Sequence, residues 1–183
     1  AYLVTLISGP KAFALLAVGS LFMRPASLVM TALPDAERAS MARALNAGKF
    51  GDAMRTVFQF RVAGLVVLAG TSALAGIIMI WFPQLILKRG YDEASVITVI
   101  CMWVAIMAIR ALRTPESVLL QAGGEFKPLA SASVNSSVVS LAFTTILLLA
   151  FGPIISMGGV MAGEVVMALQ IFAQARKWRV QHA

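Results

Sequence analysis

Cysteine and histidine are almost missing from this chain of 183 residues: Cys101 and His182 are single copies. One cysteine excludes an intramolecular disulfide and any cysteine-rich zinc cluster. One histidine, next to last in the chain, leaves Ser-His and Cys-His catalysis without a base. No catalytic constellation, metal site or cofactor is expected, and the chain does not read as an enzyme. Charge is scarce as well. Asp, Glu, Lys and Arg make up 13% of the residues, against about 25% in an average soluble domain. That is too few to coat a soluble surface of this size, which excludes a disordered chain and most soluble enzymes.

What is present is apolar. Hydrophobic residues reach 60% and the mean hydropathy is +0.87. A transmembrane helix needs about 20 mainly apolar residues, and the chain holds five such segments and a stub. The stub is Ala1 to Ser8, ended by a Gly9-Pro10 turn. The first span runs from Lys11 to Leu33, is interrupted by Arg24-Pro25, and ends at Pro34-Asp35. Asp35 to Lys49 is polar, with Met41 and Leu45 four apart, and reads as an amphipathic helix lying on the membrane surface. Gly48 and Gly51 punctuate the chain at its end, and Asp52 is placed to cap the next helix. The remaining spans cover 58–86, 94–121, 128–151 and 154–175. A Trp81-Phe82-Pro83 collar ends the second, Gly123-Gly124 the third and Gly152-Pro153 the fourth. Short connections predict antiparallel packing of consecutive spans. In lipid every backbone group must bond within its own segment, and no stretch alternates with the period of two that a barrel requires. The fold class is therefore all-α, a polytopic transmembrane bundle forming a single lobe over 1–183.

The net charge of +7 would ordinarily point to nucleic acid. Here the basic residues lie between apolar spans, so the lipid bilayer is the expected partner and nucleic acid is not. One side of the membrane collects Arg38, Arg43, Lys49, Arg55, Arg61, Arg110, Arg113, Lys127, Arg176, Lys177 and Arg179. The other holds only Lys11, Lys88 and Arg89. The positive-inside rule makes the first side cytoplasmic, the C-terminus included. The chain opens Ala-Tyr-Leu-Val, inside an apolar run, and reads as part of a longer protein.

Three groups carry chemistry. Arg24 falls near the middle of the first span, where a charge costs at least about 2.5 kcal/mol. It should face a protein interior or a watery cavity and pair there. Pro25 beside it predicts a kink, and an arginine at a kink suits an anion site. Glu164 falls near the centre of the last span, where it would carry a proton, bind a coupling cation or neutralise Arg24. Arg110, Arg113 and Glu116 stand at helical spacing. Arginine forks suit phosphate, so Arg110 and Arg113 would receive an anionic headgroup at the cytoplasmic entrance, or else anchor the helix there. Gly159 and Gly163, with Ser136 and Ser140 on the preceding span, permit close helix approach. Cys101 is expected to be a small buried hydrophobe.

Several stretches together carry a resemblance. Leu119-Leu-Gln-Ala-Gly-Gly-Glu-Phe-Lys-Pro-Leu129 joins two spans, a Ser/Asn-rich span ends at Phe151-Gly152, and the next opens Gly158-Gly159-Val-Met-Ala-Gly163-Glu164. Upstream stand Ser8-Gly9-Pro10-Lys11-Ala12 and Leu33-Pro34 with a basic amphipathic loop and Gly51-Asp52. The pattern resembles the polysaccharide-type flippases of the multidrug/oligosaccharidyl-lipid/polysaccharide exporter superfamily. It departs at Gly124 and in the loop Lys88–Glu93. The resemblance implies one lobe of a two-lobed transporter in the bacterial inner membrane, with an N-terminal lobe preceding it. It implies a lipid-linked glycan as substrate, undecaprenyl-pyrophosphate-borne, moved by alternating access for lipopolysaccharide or exopolysaccharide biosynthesis. Glycan polymerase or glycosyltransferases would be neighbours. Arg24 would hold the pyrophosphate and Glu164 would couple an ion. A cation-coupled multidrug antiporter of the same superfamily and a non-transporting scaffold for glycan assembly are the alternatives.

Overall fold

The computed structural model describes residues 2–82, 84 and 92–182, and among these all regular structure is helical, without strands. Six helices succeed one another: α1 Tyr2–Phe22, α2 Arg24–Asn46, α3 Phe50–Trp81, α4 Glu93–Ala122, α5 Phe126–Phe151 and α6 Pro153–His182. Five stretches among the described residues, Val4–Phe22 and the whole of α3 to α6, are long and apolar enough to cross a bilayer. Large apolar side chains are exposed along them, among them Phe58, Val66, Ile80, Trp81, Val138, Phe143, Leu149 and Leu169. In water such a surface would be untenable; in lipid it is solvated. The chain is a multi-pass membrane protein and an all-α bundle.

Glycine and proline set the breaks, though not all where the pattern predicts. Gly9, at φ 80 and ψ 172, divides α1 into two arms. The first predicted span is not one helix. It breaks at Met23, and Pro25 then occupies the first turn of α2. There its missing N–H is one that the helix would leave unused anyway. Pro34 does not end the helix as expected. α2 runs through it to Asn46, so the segment read as a separate surface helix continues the one before it. Asp52 is not the cap of α3. Gly48, at φ 69, turns the chain earlier and the helix starts at Phe50, leaving Asp52 in its first turn, where its charge still favours the helix dipole. Asp92 caps α4, accepting from the Ser95 N–H at 3.0 Å and its hydroxyl at 3.1 Å. The third span runs through Pro115 to Ala122 as predicted. The basic tail after Ala175 is not separate, but the end of α6. Pro83, Lys88 and Arg89 lie outside the described residues.

Packing falls into two apolar clusters. One gathers Met41, Val57, Phe60, Leu119, Ile171 and Trp178 at the end where α2 turns into α3 and α4 into α5. Trp178 stacks on Phe50 at 5.8 Å and on His182 at 4.5 Å. Lys49, Lys127, Arg176 and Lys177 belong to the same end. The other cluster holds Leu15, Met23, Leu68, Val99, Ile106, Met107 and Met157. Trp103 ties α1 to α4 there, donating its indole N–H to the Leu16 carbonyl at 3.2 Å.

α6 is the hub. It packs closely on both α5 and α4, whereas α4 and α5, although consecutive, scarcely touch. Antiparallel packing of every neighbouring pair is therefore not what forms. α5 lies against α6 because glycine lets it. A Cβ at Gly159 would collide with the Thr144 backbone nitrogen, and one at Gly163 would stand 2.6 Å from the Ser140 Cβ and 2.9 Å from the Ser136 carbonyl oxygen. Cys101, expected in the interior, is exposed on α4. It borders a groove toward α3 with Ser72 and Met79.

This contact is testable. Gly159→Ala drives a methyl group into α5 backbone, and overpacking of that kind costs about 1–3 kcal/mol. Gly70, with nothing within 4 Å, is the control. In detergent, Gly159→Ala should lower the thermal unfolding midpoint by several degrees. Gly70→Ala should leave it unchanged or raise it, since alanine gains up to about 1 kcal/mol over glycine in a helix.

Candidate functional site

Between the two apolar clusters lies a layer of charge. Along α4 the buried apolar residues stop at Met107 and resume at Val118, with Ala111 and Pro115 the exceptions. Arg110, Arg113 and Glu116 fall in the interval. Along α6, Glu164 falls between Met157 and Ile171, one from each cluster. These residues meet. Arg110 donates its Nε to Glu164 Oε1 at 2.7 Å, and its Nη2 stands 2.6 Å from the same oxygen. Arg113 donates Nε at 3.1 Å and Nη2 at 2.8 Å to Oε2. Each guanidinium thus grips one oxygen of the same carboxylate. The Glu164 side chain is 10% exposed, Arg113 14% and Arg110 37%.

A second cluster repeats the arrangement nearer the basic end. Glu116, nearly completely buried, accepts from Arg61 of α3 through Oε1 and from Arg179 of α6 through Oε2. It pins three helices at once. The Nε atoms of Arg61 and Arg179 are buried without hydrogen-bond partners among the described residues. Both clusters carry one more positive charge than negative. Among the described residues no group of three or more His, Cys, Asp or Glu side chains could hold a metal ion.

The first cluster opens onto a groove. α6 forms the floor, with α4 on one side and α5 on the other, because those two helices diverge. A cavity of about 400 Å³ is lined there by Arg110, Ser136, Ser137, Ser140, Gly163 and Glu164. A second, mostly apolar cavity of about 280 Å³ adjoins it and shares Val4, Thr144 and Val160 with the first. Phe13, Leu16, Trp103, Ile106 and Met157 complete its walls. Both arms of α1 reach this second cavity. The Thr144 hydroxyl is buried without a hydrogen-bond partner among the described residues. The groove therefore carries an arginine, a glutamate and three serine hydroxyls at one end and is apolar at the other.

Of the residues singled out in the sequence, the structure brings together Arg110, Arg113, Glu164, Gly163, Ser136 and Ser140. It does not bring in Arg24. That side chain is exposed at the start of α2, forms no ion pair among the described residues, and lines neither cavity. Of the two expected settings for Arg24, a paired place in the protein interior is not what forms: the helix breaks at Met23 and the side chain is exposed at the start of α2. Glu164 pairs with α4 and not with Arg24. The arginines of α4 are more than membrane-surface anchors, since both are committed to a carboxylate inside the bundle. Sequence reasoning reads Arg61 and Arg179 only as charges flanking spans. The one signal for them is Glu116, a carboxylate with no cation three or four residues away except Arg113, which is already engaged. Comparison of the chain with family models, with curated proteins and with solved structures gives no match.

Glu116→Ala leaves two guanidinium groups without their partner. Breaking a buried pair from one side costs about 3–5 kcal/mol, and the lower end applies because Arg61 and Arg179 are each about a third exposed. Unfolding in mild detergent should show a loss of about 3 kcal/mol for Glu116→Ala, and a smaller loss for Glu116→Gln, which keeps an acceptor oxygen. A loss under about 1 kcal/mol for the alanine variant, the size of an exposed pair, would mean that the cluster does not hold the three helices.

Proposed function

We propose that the chain is one lobe of a flippase in a bacterial inner membrane, which moves an undecaprenyl-pyrophosphate-linked oligosaccharide for lipopolysaccharide or exopolysaccharide biosynthesis. The observation that carries this reading is Arg110 on the groove wall, in a cluster where two arginines share one carboxylate. Glu164 offsets the cost of the arginine's charge, and an ionisable group within an apolar span that also lines a cavity is the usual mark of a substrate path. An arginine fork bonds phosphate oxygens two at a time. The hydroxyls of Ser136, Ser137 and Ser140 border the same cavity and add neutral donors.

The adjoining apolar cavity supports an amphiphile over a free anion. A hydrocarbon segment next to a phosphate finds Phe13, Leu16 and Met157 beside Arg110's cavity. An organic cation finds no unengaged carboxylate there, since Glu164 is held by two arginines, so a multidrug antiporter fits this groove less well. The Lys and Arg bias supports a cytoplasmic C-terminus in this reading. Alternating access would then be the rocking of this lobe against an N-terminal partner lobe. In this reading Arg110 receives the pyrophosphate, Arg113 holds Glu164 in place, and Arg24, exposed on the lobe's surface, is free to face the partner lobe.

The test is complementation with the complete gene in its own host after deletion of the native copy. Arg110→Ala should cut surface polysaccharide at least about tenfold at an unchanged level of protein in the membrane, and Arg110→Lys should retain an intermediate level. Export at the wild-type rate by Arg110→Ala would overturn the assignment.

A further inference from the structure

Glu164 is an anion already seated where a ligand anion would go. Its two oxygens are divided, Oε1 to Arg110 and Oε2 to Arg113. The two arginines differ in access. Arg113 is largely buried, whereas Arg110 is more than a third exposed and lines the 400 Å³ cavity together with Glu164 itself. An anion entering the groove therefore reaches Arg110 first.

We infer that Glu164 is a resident competitor: its carboxylate occupies Arg110 in the empty groove and gives up that arginine to an incoming phosphate-bearing ligand, while Arg113 retains the carboxylate. The inference rests on the anion-binding groove proposed above. The division of the two oxygens makes the exchange feasible. Stripping Glu164 of both arginines would strand a buried charge, which is strongly unfavourable. Losing only Arg110 leaves one guanidinium fork on Oε2, so the carboxylate stays neutralised. Arg110 in turn is never without an anion. The exchange swaps one charge-assisted contact for another, which keeps binding reversible, as a carrier that must release its cargo requires. Glu164 then has the role of tuning affinity and not of carrying a coupling ion.

Two measurements on the purified full-length protein in lipid nanodiscs test this, with inorganic pyrophosphate as the probe. The first is pyrophosphate affinity by calorimetry. Glu164→Gln removes the competing charge and should tighten binding at least about fivefold, whereas Arg110→Gln should abolish it. The second uses the wild-type protein and needs no variant to fold. Labelling of the Glu164 carboxyl by a carbodiimide, read by mass spectrometry, should increase when pyrophosphate saturates the groove. Unchanged or weaker affinity in Glu164→Gln, or labelling of Glu164 that stays level or falls with pyrophosphate bound, would overturn the inference and leave the anion groove standing. Absence of pyrophosphate binding to both the wild type and Glu164→Gln would overturn the groove and the inference together.

Discussion

A charge inside a bilayer must bring its partner with it, and here that requirement is met by one carboxylate held between two arginines. Glu164 joins the middle of α6 to α4 through Arg110 and Arg113. Everything around it is arranged to allow that contact. Apolar clusters flank the layer on both sides, and burial of Glu164 and Arg113 makes their contact stronger than it would be on a soluble surface. The same layer extends to Glu116, where α3, α4 and α6 converge. In lipid, apolar burial between helices gives little net drive, so packing and polar contacts must specify which helices meet. The two carboxylates do much of that specifying.

α6 meets its two neighbours by different physics. Toward α5 it presents Gly159 and Gly163, and backbone approaches backbone. Toward α4 it presents Glu164, and long side chains reach across. A glycine contact draws helices together, whereas an arginine–carboxylate contact holds them at the length of its side chains. α4 and α5, each held to α6 in its own way, scarcely touch one another. The groove lies between them, with Arg110 at its charged end and Phe13, Trp103 and Met157 at its apolar end.

The spans are legible in the sequence because length and hydropathy are local properties. For α3 to α6, limits that fall among the described residues lie within a few residues of those predicted, except where polar ends such as Phe50–Val57 and Arg176–His182 remain helical beyond the apolar run; the end predicted at 86 lies outside the described residues. Prolines are harder. Pro34 and Pro25 carry the same local signal, yet only the second sits at a break. Met23, at that break, is fully buried in the second apolar cluster, a tertiary contact that local sequence does not reveal. The chemistry-bearing residues are legible by type and not by partner. Glu164 and the α4 arginines stand out as charges in apolar helices, but which cation meets which carboxylate depends on helix arrangement. Nothing local distinguishes Arg24 from Arg110 as the partner of Glu164. Arg61 and Arg179 are hidden for the same reason: each flanks an apolar run like an ordinary surface anchor.

The most direct test of this account is a double-mutant cycle between α4 and α6, using Arg113→Gln, Glu164→Gln and the double variant, with unfolding free energy in bicelles as the readout. If Glu164 is the link between the two helices, the two losses are strongly non-additive, with a coupling energy above about 1 kcal/mol, within the range found for residues in direct contact. Losses that add to within about 0.3–0.5 kcal/mol, the behaviour of independent sites, would contradict it. The charged layer would then not be what holds α4 against α6.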